Sequence, residues 1–278
     1  MIRINSDSSI LYKVDEAAKL GVVTTPLHVI CGDESWSELE EFSTADCLAL
    51  IQSGKLPVSS QPSLGEVLAN YDKFPNDEII NITMADGLSG TYESACMARD
   101  MAANPERITV LNSRTLCGPH RYLVELAAEL AAAGESRAAI LERLEESMAK
   151  TASYLVVEDF DFLRRGGRLS PFVAFIGKTI KMVPSVKASP DGKRLDPFAV
   201  KRTFCKALET IALDMQKHGA GSDCKFYVAH AGDVKRGEKG VAAIRKVFGD
   251  VELEVLELGP VFVAQGGPGC VSLHFIKK

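Results

Sequence analysis

Along the first half of the chain, short β-rich runs alternate with stretches of helical period. IRIN at 2–5, GVVTTPLHVI at 21–30, EIINIT at 78–83 and RITVLN at 107–112 have the β-branched content of strands. Between and after them, residues 15–20, 91–103, 121–133 and 136–150 carry helical periodicity. Strands separated by helices cannot be joined by tight hairpins. They predict a parallel sheet with helices on both faces.

The second half changes character. SYLVVEDF (153–160) reads as a strand leading into a short helix, which the two glycines of RRGGRLS (164–170) break. KASPDGKRLD (187–196) reads as a hairpin around Pro190-Asp191-Gly192. A helix over 200–217, the strand CKFYVAH (224–230), a helix over 240–248 and strands at 251–258 and 271–276 complete the pattern. A hairpin with late strands predicts a mixed sheet with helices mostly on one face. A chain of 278 residues is also long for a single core. The expectation is an α/β protein of two domains: a parallel-sheet α/β/α domain over 1–155 and a mixed-sheet α/β domain over 156–278.

Charge and cysteine usage narrow the function. With 32 Lys and Arg against 37 Asp and Glu, the formal net charge is −5, which disfavours general nucleic-acid binding. The seven cysteines, at 31, 47, 96, 117, 205, 224 and 270, are too widely spaced for a CxxC pair or a zinc knuckle. They read as reduced thiols in a reducing compartment. The N-terminal MIRINSDSS has no apolar signal core, and the longest uncharged stretch, 258–276, is interrupted by glycines and prolines. These features predict a cytoplasmic chain without membrane insertion. No Walker loop, dinucleotide fingerprint or metal-ligand cluster stands out, so no cofactor and no metal are expected.

Four polar segments are candidates for chemistry. Gly87-Leu88-Ser89-Gly90-Thr91 follows a strand and opens a helix, where free backbone amides and hydroxyls suit a carboxylate or phosphate. Read blandly, it is a glycine turn with a hydroxyl cap. It nearly matches the G-x-S-x-G nucleophile elbow, but Thr91 stands where the last glycine belongs. A Ser89-dependent esterase is therefore the weaker alternative. Val58-Ser59-Ser60-Gln61-Pro62 is a polar loop before a capping box, Ser63 with Glu66, which starts a helix running to about residue 71. Arg164, Arg165 and Arg168 gather guanidiniums around two glycines, the geometry that recognises phosphates or carboxylates. Phe172, Phe175, Ile176 and Met182 follow in a long apolar stretch and are candidates for a tunnel wall or for core. Gln265 opens a Gly-Gly-Pro-Gly run between extended segments.

Taken in order, these pieces resemble the DegV family of bacterial fatty-acid-binding proteins. The resemblance rests on Asp7-Ser8-Ser9, Pro26-Leu27, Ser59-Ser60-Gln61-Pro62-Ser63 and Gly87-Leu88-Ser89-Gly90-Thr91-Tyr92. It continues through Leu163-Arg164-Arg165-Gly166-Gly167-Arg168, Lys201-Arg202, Gly259-Pro260 and Gly267-Pro268-Gly269. It implies one long-chain fatty acid held between two α/β domains. Ser89, Ser59, Gln265 and Gly90 would sit at the carboxylate and Phe172, Phe175, Ile176 and Met182 along the acyl chain. It further implies a carrier without catalytic activity of its own, similar to the lipid-presenting subunit of fatty-acid kinase. Arg164, Arg165, Arg168 and Arg202 would face the separate ATP-binding subunit or its nucleotide. Two departures stand out: Ala85-Asp86 replaces the family's usual Ser-Ser, and Gln265 its usual His. An ionised Asp86 close to a lipid carboxylate would repel it.

Overall fold

The computed structural model describes residues 1–169 and 182–278, and within them the strands form three sheets. The chain begins with β1 (Ile2–Asp7), α1 (Val14–Lys19) and β2 (Val22–Thr25), then β3 (His28–Cys31), β4 (Glu34–Ser37), α2 (Thr44–Gln52) and β5 (Val58–Ser60). Next come α3 (Leu64–Asp72), β6 (Glu78–Thr83), α4 (Thr91–Met101), β7 (Ile108–Asn112), α5 (Cys117–Ala132) and α6 (Arg137–Met148). The second half runs β8 (Thr151–Val156), α7 (Phe160–Gly166), β9 (Val183–Ala188), β10 (Leu195–Lys201), α8 (Phe204–Lys217) and β11 (Cys224–His230). It ends with α9 (Val234–Phe248), β12 (Leu253–Glu257), α10 (Pro260–Gly266) and β13 (Val271–Lys277).

The N-terminal sheet has the order β2-β1-β6-β7 and every pair in it is parallel, as the alternating pattern requires. The C-terminal sheet, β10-β9-β8-β13-β11-β12, is mixed: β11 and β12 are parallel, the other neighbours antiparallel. A small antiparallel sheet, β4-β3-β5, stands apart from both.

Several local expectations are corrected. The run 21–30 is two strands, because Pro26 has no amide to continue a ladder. Thus β2 joins the parallel sheet and β3 the small one. Ser59 and Ser60 belong to β5, not to a loop. Val200 and Lys201 stay in β10, and α8 starts after Thr203, whose hydroxyl accepts from the Lys206 amide. Helix α9 starts at Val234 instead of residue 240, with Gly237 and Gly240 inside it. Those glycines are there for closeness: a Cβ would lie 2.7 Å from the His230 ring at Gly237 and 2.8 Å from Val228 at Gly240. Gln265 lies on α10, not between extended runs.

Helices also cover both faces of the mixed sheet. Along β11, Phe226 and Val228 point into a core with Leu208 and Ile211 of α8 and Ile244 of α9. The intervening Tyr227 and Ala229 point the other way, into a core with Leu123 of α5 and Ile140 of α6. Helix α5 contacts β1 of the parallel sheet as well as β11 and β13 of the mixed sheet. It is a shared layer, and Gly118 gives its first turn room against the Tyr227 ring. Among the described residues no helix is long and apolar enough to cross a membrane.

Candidate functional site

The carboxyl end of β1 fixes the loop that follows β6. Asp7 accepts hydrogen bonds from the Ser9 amide at 3.0 Å and from the Met84 amide at 2.8 Å. Its neighbours tie down other elements. Ser8 accepts from the Leu27 amide and donates to Glu38, and Ser9 bonds His120, whose charged form is disfavoured by burial. The Asp7-Ser8-Ser9 motif is therefore a bracket that sets where the glycine loop begins. The loop ends at Gly90, which caps α4 without a side-chain hydrogen bond. Beyond Thr91, the first amides of that helix keep their anion-attracting character. The Ser89 hydroxyl lies 2.7 Å from that of Thr91 and accepts from the Thr91 amide.

Ser89 lines a cavity of about 900 Å³, counting its open mouth. Ser59, Ser60, Gln61, Arg168 and Gln265 line it too, and its walls include Leu27, Met84, Leu88, Leu155, Leu163 and Phe262. Gln265 donates to the Ser59 hydroxyl at 2.8 Å, which joins α10 to β5. It reaches Ser59 past Gly166, where any Cβ would collide with its carboxamide oxygen. Gly167 takes the left-handed conformation that ends α7. The two glycines of the arginine segment thus have separate tasks, close approach and helix termination. Gly90 is likewise pressed against the Gln61 carboxamide, which donates to Ser94.

Three of the residues expected at a carboxylate, Ser89, Ser59 and Gln265, therefore line one cavity, with Gly90 directly after Ser89. Of the arginines, Arg168 also lines it, but its guanidinium donates to the carbonyls of Leu88 and Gly166. Those bonds brace the loops on either side. Arg164 and Arg165 are exposed, the first paired with Asp161 and the second lying over the Phe162 ring. Arg202 is exposed on the link from β10 to α8. Phe172, Phe175 and Ile176 fall outside the described residues, and Met182 is half-buried but is not among the lining residues. Asp86 does not line the cavity either, and it forms an ion pair with Lys193 at the β9–β10 turn. That pairing sets a cation against the carboxylate whose repulsion was expected.

The floor of the cavity holds polar groups that sequence reasoning passed over. Ser272 and His274 lie on β13 and Ser153 on β8, all facing the same way across the ladder. His274 Nδ1 is 2.8 Å from the Ser153 hydroxyl. Burial pushes the imidazole down to about 3, so it is neutral. The signal was present: polar side chains at alternate positions of the otherwise apolar VSLHFI. Glu38 was also missed. Wholly buried, it accepts from the Val261 amide at 3.1 Å at the start of α10, and burial pushes its carboxyl up to about 8.

Among the described residues no histidine bonds Ser89. The Ser9–His120 pair is sealed in the core, away from the cavity. Nor do three or more His, Cys, Asp or Glu side chains gather there as a metal would need.

Comparison with known proteins accords with this architecture. The family model described as "Uncharacterised protein, DegV family" matches residues 1–278. A DegV domain-containing protein of Halalkalibacterium halodurans is 31% identical over 100% of this chain and 99% of its own length. The crystal structure of DegV from Bacillus subtilis, described as a fatty acid binding protein, superposes with a TM-score of 0.86 at 28% identity. It covers 100% of this chain and 99% of that one. A DegV family protein from Thermus thermophilus, described by its fatty acid binding, gives 0.87 at 26% identity, with 100% and 99% coverage. With a family model spanning all of its residues and a full-length relative above 30% identity, this chain belongs to the DegV family.

Proposed function

We propose that this chain binds one long-chain fatty acid in the cavity, with the carboxylate at Ser89, Ser59, Gln265 and the amides following Gly90. One observation carries the reading: a cavity with mostly apolar walls is also lined by the uncharged hydrogen-bonding groups of Ser89, Ser59 and Gln265. Neutral donors and a helix N-terminus hold a carboxylate without the desolvation cost of a buried counter-cation. The fatty-acid binding of the Bacillus subtilis and Thermus thermophilus relatives supports the choice of ligand. In this reading the ligand lies between two lobes. Strand β8, from Thr151, already belongs to the mixed sheet, which supports a division at the link from α6 to β8, just ahead of 155. Native mass spectrometry of freshly purified protein tests it. A released mass matching one fatty acid, lost in the Ser59→Ala Ser89→Ala variant, is the expected result. A clean apo mass that stays apo after incubation with palmitate removes the reading.

The carrier would act in the cytoplasm, a placement that seven free cysteines support. It would present the acyl carboxylate to a separate ATP-binding kinase subunit, where a carboxylate oxygen attacks the γ-phosphorus to give an acyl phosphate and ADP. The exposed guanidiniums of Arg164, Arg165 and Arg202 are the docking candidates. Arg202→Ala should lose phosphoryl transfer while keeping its lipid. In the esterase alternative Ser89 would be the nucleophile, but its bond to Thr91 gives it no base. A fluorophosphonate probe should leave Ser89 unlabelled.

A further inference from the structure

The cavity floor has a chemistry of its own. Ser272 and His274 are almost wholly buried, at 4% and 1% exposure, and both line the cavity. Among the described residues the Ser272 hydroxyl and His274 Nε2 have no hydrogen-bond partner, although His274 Nδ1 is held by Ser153. Two residues apart on one strand, they point to the same side of the sheet, with Cα atoms about 7 Å apart. Unpaired polar atoms facing an apolar chain would each forfeit a hydrogen bond, and burial makes that loss costly.

We propose that Ser272 and His274 form a second polar subsite, which recognises a hydroxyl group carried on the acyl chain. The proposal rests on the fatty-acid reading of the cavity and narrows it to hydroxylated chains. A neutral hydroxyl fits better than a second carboxylate. Among the described residues Arg168 is the one Lys or Arg lining the cavity, and it is engaged with two carbonyls. The imidazole, whose charged form burial disfavours, supplies no countercharge. A hydroxyl both donates and accepts, so it can satisfy Ser272 and His274 Nε2 in either hydrogen arrangement. Sites built to bond a substrate hydroxyl reject the analogue lacking it, because their own polar groups are then left unpaired.

Displacement of a fluorescent fatty acid by palmitate, and by monohydroxypalmitates with the hydroxyl at successive carbons, tests the proposal. At least one isomer should bind about tenfold tighter than palmitate, the ratio expected of one or two well-made buried hydrogen bonds. That advantage, taken as the ratio to palmitate in the same variant, should shrink to within about twofold in Ser272→Ala and in His274→Leu. Ser272→Ala removes a single oxygen and keeps the test open if His274→Leu does not fold. If palmitate binds and no isomer exceeds it, water suffices at the floor and this proposal alone falls. An advantage that persists in both variants places the hydroxyl elsewhere and also overturns it. If neither palmitate nor any isomer binds, the fatty-acid reading fails and takes the subsite with it.

Discussion

Gly166 and Gly87 make a contrast at the scale of single residues. A methyl on Gly166 meets the end of the Gln265 side chain, which can swing away. Gly166→Ala should therefore cost less than about 1 kcal/mol in stability yet weaken fatty-acid binding, because Gln265 leaves Ser59. A methyl on Gly87 meets the backbone of Lys193, which cannot swing. Gly87→Ala should cost on the order of 1–3 kcal/mol, read from denaturant midpoints. A third substitution isolates charge: Gln265→Glu should weaken binding of an ionised fatty acid at neutral pH, with the loss reversed on acidification. Ser59 and Gln265 became candidates through the resemblance to the DegV family, whereas Ser89 was legible because a hydroxyl in a glycine loop between strand and helix is a local feature. The polar floor was not: Ser272 and His274 matter through a cavity that forms when β13 meets β8, and no local pattern announces that.

Helices α3 and α10 differ in how far away their causes lie, and only the first was read from the sequence. The capping box of α3 lies within four residues, and the Ser63 hydroxyl accepts from the Glu66 amide as expected. Ser63→Ala should lower stability by about 1 kcal/mol, a melting shift of roughly 2–4 °C. Helix α10 is the opposite case. Its apolar sequence, PVFVAQG, gives little helical signal, and Pro260 leads into an amide satisfied by Glu38, 223 residues away. Gly259 gives that carboxylate room, since a Cβ there would lie 2.8 Å from Oε2. This staple has a pH signature. The folded chain raises the Glu38 carboxyl from 4.5 to about 8, so between those values it holds more protons than the unfolded chain. Stability from this group is full below the lower value and is lost as pH rises through the upper one. In Glu38→Gln the fall in urea midpoint across that window should flatten.

For the whole molecule, the shared layer of α5 decides how the protein comes apart. One core joins Ile4 and Ile82 of the parallel sheet to Tyr227 and Ile276 of the mixed sheet. Unfolding either half alone would strip apolar cover from the other. Trp36, the one tryptophan, sits in the small sheet and reports on the first half, while far-ultraviolet dichroism reports on both. The two signals should trace a single coincident urea transition, and two separated midpoints would contradict the shared core. Alternation of strand and helix made the parallel sheet legible, but it could not show that helices of the first half roof the sheet of the second. The position of β13 bears on the chain's birth. It lies between β8 and β11, so until it emerges from the ribosome the mixed sheet remains in two pieces. The floor of the cavity is then missing, while Ser59 waits for a glutamine 206 residues downstream. Such long-range closure is slow and late. A nascent chain consequently lacks the proposed acyl site, and under that proposal loading belongs to the folded protein.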